Sequence, residues 1–239
     1  MQLEIISKIK IKKPLDRLDD EFVQKFLDEF YKKNSKFNNK QLKQREIKNV
    51  VKRVRNELNK VYGQFWLNNK LDLKAHKSTK ERINTYKELY KELFKITGKP
   101  NSILDISAGL NPLAYPKGIY YIATELTEFD CNLIKKCFKD NKINGEVLKI
   151  DILKEYIFPK ADITFMFKLL DLVSHKDAER LLTSMKSKYV VVSFSTVTTR
   201  NKKMNYPRRG WFERLLTRLD LDYKKLHFEN EMFYVITST

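Results

Sequence analysis

The spacing of hydrophobic residues changes near residue 98. Before it, apolar positions recur every three or four residues. Phe22, Phe26 and Phe30, with Val23 and Leu27 beside them, stripe residues 15–33, and Ile47, Val50, Val51, Val54, Leu58 and Val61 stripe residues 40–62. Both stretches predict amphipathic helices. A third helix is expected from Ser78, an N-cap with Glu81 three residues on in the capping-box pattern. It would bury Ile83, Tyr86, Leu89, Tyr90, Leu93 and Phe94 and stop before Gly98 and Pro100. Beyond that point short apolar runs alternate with amphipathic ones. Strands are expected at 102–106, 119–124, 146–150, 162–166 and 189–194, and a closing hairpin at 223–228 and 232–237. Helices are expected at 128–141, 175–187 and 209–219.

Alternating strands and helices predict an α/β fold with a parallel sheet and right-handed crossovers. A terminal hairpin that adds one antiparallel strand is the arrangement of class I methyltransferases, a Rossmann-like fold. The organisation is therefore a basic helical N-terminal region, 1–97, followed by an α/β domain, 98–239.

Charge sharpens this division. The chain of 239 residues carries a formal net charge of +18. Residues 1–97 hold 25 Lys and Arg against 13 Asp and Glu, and residues 98–239 hold 23 against 17. Such a surplus implies a polyanionic partner, and nucleic acid is the usual one. The densest patch, residues 32–60, has eleven basic residues and two glutamates, among them Lys32, Lys33, Lys43, Arg45, Lys52, Arg53 and Arg55. A second patch, Arg200, Lys202, Lys203, Arg208 and Arg209, follows the fifth strand. Two basic patches flanking a pocket suit a surface that tracks RNA phosphates. Cys131 and Cys137 are spaced for neither zinc nor redox work, and His76, His175 and His227 are too dispersed for a metal. No apolar run approaches a membrane span. A cytoplasmic, membrane-free monomer is the expectation.

Open α/β sheets bind ligands beyond the carboxyl ends of their strands, so the residues there are the ones to read. The stretch "SILDISAGLNP" ends its strand at Asp105 and turns through Ser107, Ala108 and Gly109 on one glycine. A dinucleotide pyrophosphate wants a longer glycine loop, whereas an adenosyl amino acid has no phosphate to cradle. Asp105 can accept from an ammonium group. Glu125, after the second strand, can accept from both ribose hydroxyls, with Leu126 beside it. Asp151, after the third strand, is placed for an adenine amine between Ile150 and Ile152, and Phe167 follows the fourth strand. The cofactor that fits these groups is S-adenosylmethionine.

From His76 onward the chain resembles the 16S ribosomal RNA methyltransferases that confer aminoglycoside resistance in bacteria. "HKSTKERI", "SILDISAGLNPLA", "MFKLLDLV", "VVVSFSTVTTRNKKMN" and "GWFERL" carry the resemblance. It implies a class I fold, a helical extension that docks on the small ribosomal subunit, and transfer to guanine N7 in the decoding region. By the matching positions, Arg82 would bind the cofactor carboxylate, Gly109 would line its pocket, Glu125 would hold its ribose and Asp151 would face its adenine. The chain departs from the family pattern at Ala108, where a cysteine is usual, at Glu125, where aspartate is usual, and through residues 196–207, where a glycine-rich stretch is replaced.

Guanine N7 offers a lone pair and needs no general base, whereas an exocyclic amine must lose a proton. The fourth strand ends in "MFKLLD", without the Asn/Asp-Pro-Pro-aromatic tetrapeptide that amine methylation usually uses. This favours N7. Lys168 stands where a side chain would meet the target base, and Trp211 is the first choice for stacking on it. The alternatives are methylation of a cytidine N4 in 16S ribosomal RNA and a non-catalytic RNA-binding assembly factor. The expected substrate is 16S ribosomal RNA within the small subunit or its precursor, and the departures at 196–207 favour a housekeeping role.

Overall fold

The computed structural model describes residues 2–37, 42–68, 70–154, 156–198, 202–205 and 207–238. The chain divides into two compact units, Met1–Asn69 and Lys70–Thr239.

The first unit is helical: α1 (Gln2–Lys10), α2 (Asp20–Lys33) and α3 (Gln44–Leu58). The last two are the striped segments, and Val23, Leu27, Ile47, Val50, Val54 and Leu58 are buried as their spacing predicts. α2 begins later than expected, because residues 15–17 form a separate 3-10 turn. α1 was not among the expected helices. At nine residues it is too short to show a period, yet Ile5, Ile6 and Ile9 are buried. Arg55 closes its end: its Nε donates to the Ile9 carbonyl at 3.1 Å and its Nη2 to that of Lys8. These acceptors have no partner within the helix.

The second unit carries α4 (Lys77–Arg82), α5 (Tyr86–Thr97), β1 (Ser102–Asp105), β2 (Tyr120–Glu125), α6 (Glu128–Asn141), β3 (Gly145–Lys149), β4 (Ile163–Phe167), α7 (His175–Ser184), β5 (Tyr189–Ser195), α8 (Gly210–Arg218), β6 (Tyr223–His227) and β7 (Glu231–Thr237). Its seven strands lie in the order β3-β2-β1-β4-β5-β7-β6. The first five are parallel, and β7 runs antiparallel to both β5 and β6. This is the class I methyltransferase sheet. One face packs α5 and α6 through Leu89, Leu93, Ile134 and Phe138, and the other packs α7 and α8 through Leu181, Phe212 and Leu216. Strand order reverses between β1 and β4, which marks the crevice to inspect.

Two expectations need correction. The unit boundary falls at residue 69, not 97, because Tyr86, Leu89, Tyr90 and Leu93 of α5 share a core with Ile103, Tyr121 and Phe165 of the sheet. Ser78 is not an N-cap either. His76 holds that position, and Ser78 lies inside α4 with its Oγ accepting from Arg82. Among the described residues, no helix is long and apolar enough to cross a membrane.

The closing hairpin is pinned by Glu213 of α8. Its Oε1 accepts from Lys225 Nζ at 2.6 Å and Tyr234 OH at 3.0 Å, and its Oε2 from Arg208 Nε at 2.5 Å. Burial opposes its charge, but the bonds to Arg208, Lys225 and Tyr234 outweigh it and hold the pKa down to about 2. A folded-state pKa below the unfolded value stabilises above the unfolded value and is lost as pH falls through the folded one. Glu213→Gln should therefore lower the melting temperature at pH 7, and the gap to wild type should narrow between pH 4.5 and about 2. A gap independent of pH would refute this reading.

Candidate active site

The carboxyl ends of β1, β2 and β4 bring together most of the expected residues. Asp105, the last residue of β1, is wholly buried. Its Oδ2 accepts from Asn111 Nδ2 at 2.9 Å and Tyr121 OH at 2.6 Å, while its Oδ1 is buried with no hydrogen-bond partner. Desolvation raises its pKa to about 6 against the lowering effects of Tyr121, Asn111 and the Arg82 cation. The turn beyond it is tightly held. Ser107 has a φ of 55° and donates its N–H to Thr124 Oγ1 at 3.1 Å, and Ala108 N–H donates to the Thr124 carbonyl at 3.0 Å. Gly109, at φ 56°, donates to Glu125 Oε1 at 2.6 Å. The glycine is required there by the protein itself, because a Cβ would stand 2.8 Å from the His76 ring. Burial, then the Arg82 and Lys168 cations, holds that imidazole neutral with a pKa down to about 3.

Glu125 ends β2 and is buried, with Leu126 partly exposed beside it. Burial first, then Asp130, raises its pKa, against lowering bonds from the Gly109 and Leu126 backbones. Asp151 follows β3 and caps its own turn, Oδ1 accepting from Leu153 N–H at 2.9 Å. Ile150 is buried and Ile152 packs against the same core.

Behind the crevice lies a buried charge network. Arg82 is 2% exposed. Its Nε donates to Glu231 Oε2 at 2.8 Å, its Nη1 to Asn111 Oδ1 at 2.7 Å and Tyr86 OH at 3.3 Å, and its Nη2 to Ser78 Oγ. The guanidinium also lies over the Phe167 ring, 4.9 Å from its centre. Lys168 continues the network. Its Nζ donates to Glu81 Oε2 at 2.5 Å and sits 3.3 Å from Glu231 Oε2, with the side chain 10% exposed. Glu231 Oε1 accepts from Ser193 Oγ. Of the network, Glu231, Tyr121 and Ser193 were not singled out from the sequence, Glu81 was read only as a capping-box residue and Tyr86 only as part of an apolar helix face, and the "GLNP" motif pointed towards Asn111.

Trp211 is half-buried, its indole stacked on His175 at 4.2 Å. The basic residues separate into two groups. Lys32, Lys33, Lys43, Arg45, Lys52, Arg53, Lys202 and Lys203 are exposed. Arg55 is spent on α1, and Arg209, 12% exposed, on Asp171 at 2.8 Å and the Ser195 carbonyl at 3.1 Å. Arg208 pairs with Glu213 but stays 74% exposed. Arg200 lies outside the described residues.

Residues 69–235 match the model of the ribosomal RNA methyltransferase (FmrO) family. The chain belongs to that family. Among its curated relatives, the 16S rRNA (guanine(1405)-N(7))-methyltransferase of Proteus mirabilis is 31% identical over 178 residues, 69% of this chain and 63% of the relative. Its namesake from Micromonospora echinospora is 24% identical over 228 residues, 80% and 83% of the two chains. The chain thus spans just under two thirds of the length of the first of these. In fold it is similar to the 16S rRNA methylase RmtB, with a TM-score of 0.78 at 23% identity over 100% and 99% of the chains. The same score relates it to 16S rRNA methyltransferase RmtF in complex with S-adenosyl-L-homocysteine, at 19% identity over 100% and 98%.

The buried carboxyl of Asp105 generates a test. A carboxyl whose folded pKa is raised adds stability below its unfolded pKa and loses it as pH rises through the folded value. Asp105→Asn should raise the melting temperature of the ligand-free protein at pH 8, with the difference shrinking as pH falls from about 6 and vanishing below the unfolded value of 3.8. A variant less stable than wild type at pH 8 would contradict the assignment.

Proposed function

We propose that the chain transfers the methyl group of S-adenosylmethionine to N7 of a guanine in 16S ribosomal RNA, on the small subunit or its precursor. The observation that carries this reading is the coincidence of the family match with a crevice whose acids suit that cofactor. Asp105 presents a buried acceptor without a partner, which fits an ammonium group. Glu125 keeps Oε2 for ribose hydroxyls while Oε1 holds the Gly109 turn. Asp151, with Ile150, Ile152, Leu126 and Phe167, supplies the adenine environment. Ser107, Ala108 and Gly109 form the floor. Arg82 gives four of its N–H groups to protein acceptors, so a ligand carboxylate would meet its remaining Nη2 hydrogen.

When bound, the cofactor supplies a methyl group already activated on a sulfonium. The protein then has to hold two reactants in line, and orientation alone is worth ~7–11 kcal/mol of barrier. A guanine N7 lone pair needs no proton removed, so a crevice of acceptors and paired cations suffices. Lys168, with two hydrogens directed at Glu81 and Glu231, has a third for the target base. The exposed cations of the helical unit and of residues 202–203 support the reading of both as phosphate contacts.

Three outcomes are expected. Small subunits incubated with isotope-labelled cofactor should yield labelled 7-methylguanosine by nucleoside mass spectrometry, and label in a cytidine or none at all would overturn the proposal. Glu125→Ala should weaken the cofactor by ~1.5–3 kcal/mol, since it removes hydrogen bonds to a charged group, and unchanged calorimetric affinity would reject the ribose role. Replacing Lys43, Arg45 and Lys52 together by Glu should flatten the salt dependence of RNA binding with cofactor affinity intact. Equal loss of both would make that patch structural.

A further inference from the structure

We infer that His175 and Trp211 form a platform on which an unpaired base of the RNA stacks, with the imidazole as the ring the base meets. The inference rests on the proposed function and adds a residue outside the cofactor crevice. The His175 and Trp211 rings lie 4.2 Å apart and 13° from parallel. Phe194 and Phe212, both wholly buried, brace the indole edge-on at 6.0 and 5.5 Å. His175 itself is exposed. The indole is therefore the supporting layer and the imidazole the outer one.

Both layers are rigidly set. Ser174 caps α7, its Oγ accepting from Asp177 N–H at 3.1 Å, so His175 is the first residue of a regular helix. Arg209, directly before α8, donates to Asp171 and to the Ser195 carbonyl and lies 5.3 Å from the Phe194 ring centre. That bond brings the start of α8 to the carboxyl end of β5, and α7 opens eight residues after the carboxyl end of β4. The platform thus stands on the same edge of the sheet as Asp105, Glu125 and Lys168. Exposed Lys176, Lys202 and Lys203 belong to the segments around it and suit adjoining phosphates.

Every base has a π-face, so a flat, exposed ring pair recognises an unstacked base whatever its identity. An exposed imidazole held against an indole needs no rearrangement to receive one. The pair would hold a nucleotide flanking the target, or the target itself before it turns into the crevice.

The test compares wild type, His175→Ala and His175→Phe, with purified small ribosomal subunits and protein-free 16S ribosomal RNA as probes. His175→Ala should bind both probes roughly tenfold more weakly. His175→Phe, which keeps a flat ring, should restore binding, while S-adenosylmethionine affinity and melting temperature stay at wild-type values throughout. Three results overturn the platform: an alanine variant that binds both probes like wild type, a phenylalanine variant that remains folded but fails to rescue, or a loss on subunits without one on free RNA. The last would assign the ring to a ribosomal protein. If wild type binds neither probe, the proposed function fails first and the platform falls with it.

Discussion

Four alternating charges inside the larger unit, Arg82, Glu231, Lys168 and Glu81, are the constraint on which the carboxyl edge of the sheet depends. An ion moved from water into a protein interior costs several kcal/mol, and only a well-placed partner offsets that. Each of these charges has one. They come from three segments far apart in sequence: α4, the exit of β4 and the start of β7. Pairing them fixes those segments against one another, and Asn111, Tyr86, Ser78 and Ser193 occupy further polar positions around the charges. The terminal hairpin is accordingly more than a lid on the sheet edge, because the first residue of β7 supplies the central carboxylate.

The same edge of the sheet carries a strained backbone. Ser107 and Lys168 both have positive φ, 55° and 54°, although neither is glycine. They follow β1 and β4, the adjacent strands between which the sheet order reverses. Such conformations persist only where the surroundings over-determine them. Here Thr124 receives the Ser107 N–H, and the Oγ and carbonyl of Ser193 both receive that of Lys168. Two sharp exits at a strand-order switch are what an α/β sheet needs to admit a ligand between them.

Much of this was legible in the sequence, and the misses have physical causes. Strand positions followed from β-branched runs, and every expected strand is present within one or two residues of its place. The acids at the ends of β1 and β2 were found because strand ends are the known ligand edge. Glu231 escaped because nothing local distinguishes it: its partner Arg82 is 149 residues away. For Arg82 and Lys168 the carboxylates that pair with them went unseen, because a sequence shows a charge but not the partner that neutralises it. The same reason separates Arg55 and Arg209 from the neighbouring exposed lysines. Ser78 was misplaced because a capping-box pattern also arises when the serine and the glutamate have other partners, here Arg82 one turn on in the same helix and Lys168 from the exit of β4. α5 was assigned to the wrong unit because helical spacing says which face is apolar and not which core receives it.

The unfolding free energy of Glu231→Gln at neutral pH tests the central claim most directly. Removing the one carboxylate shared by Arg82 and Lys168 leaves both cations short of a partner in the interior, and the account predicts a loss of about 3–5 kcal/mol. A variant within about 1 kcal/mol of wild type, the range of an exposed ion pair, would contradict it and reduce the network to incidental contacts.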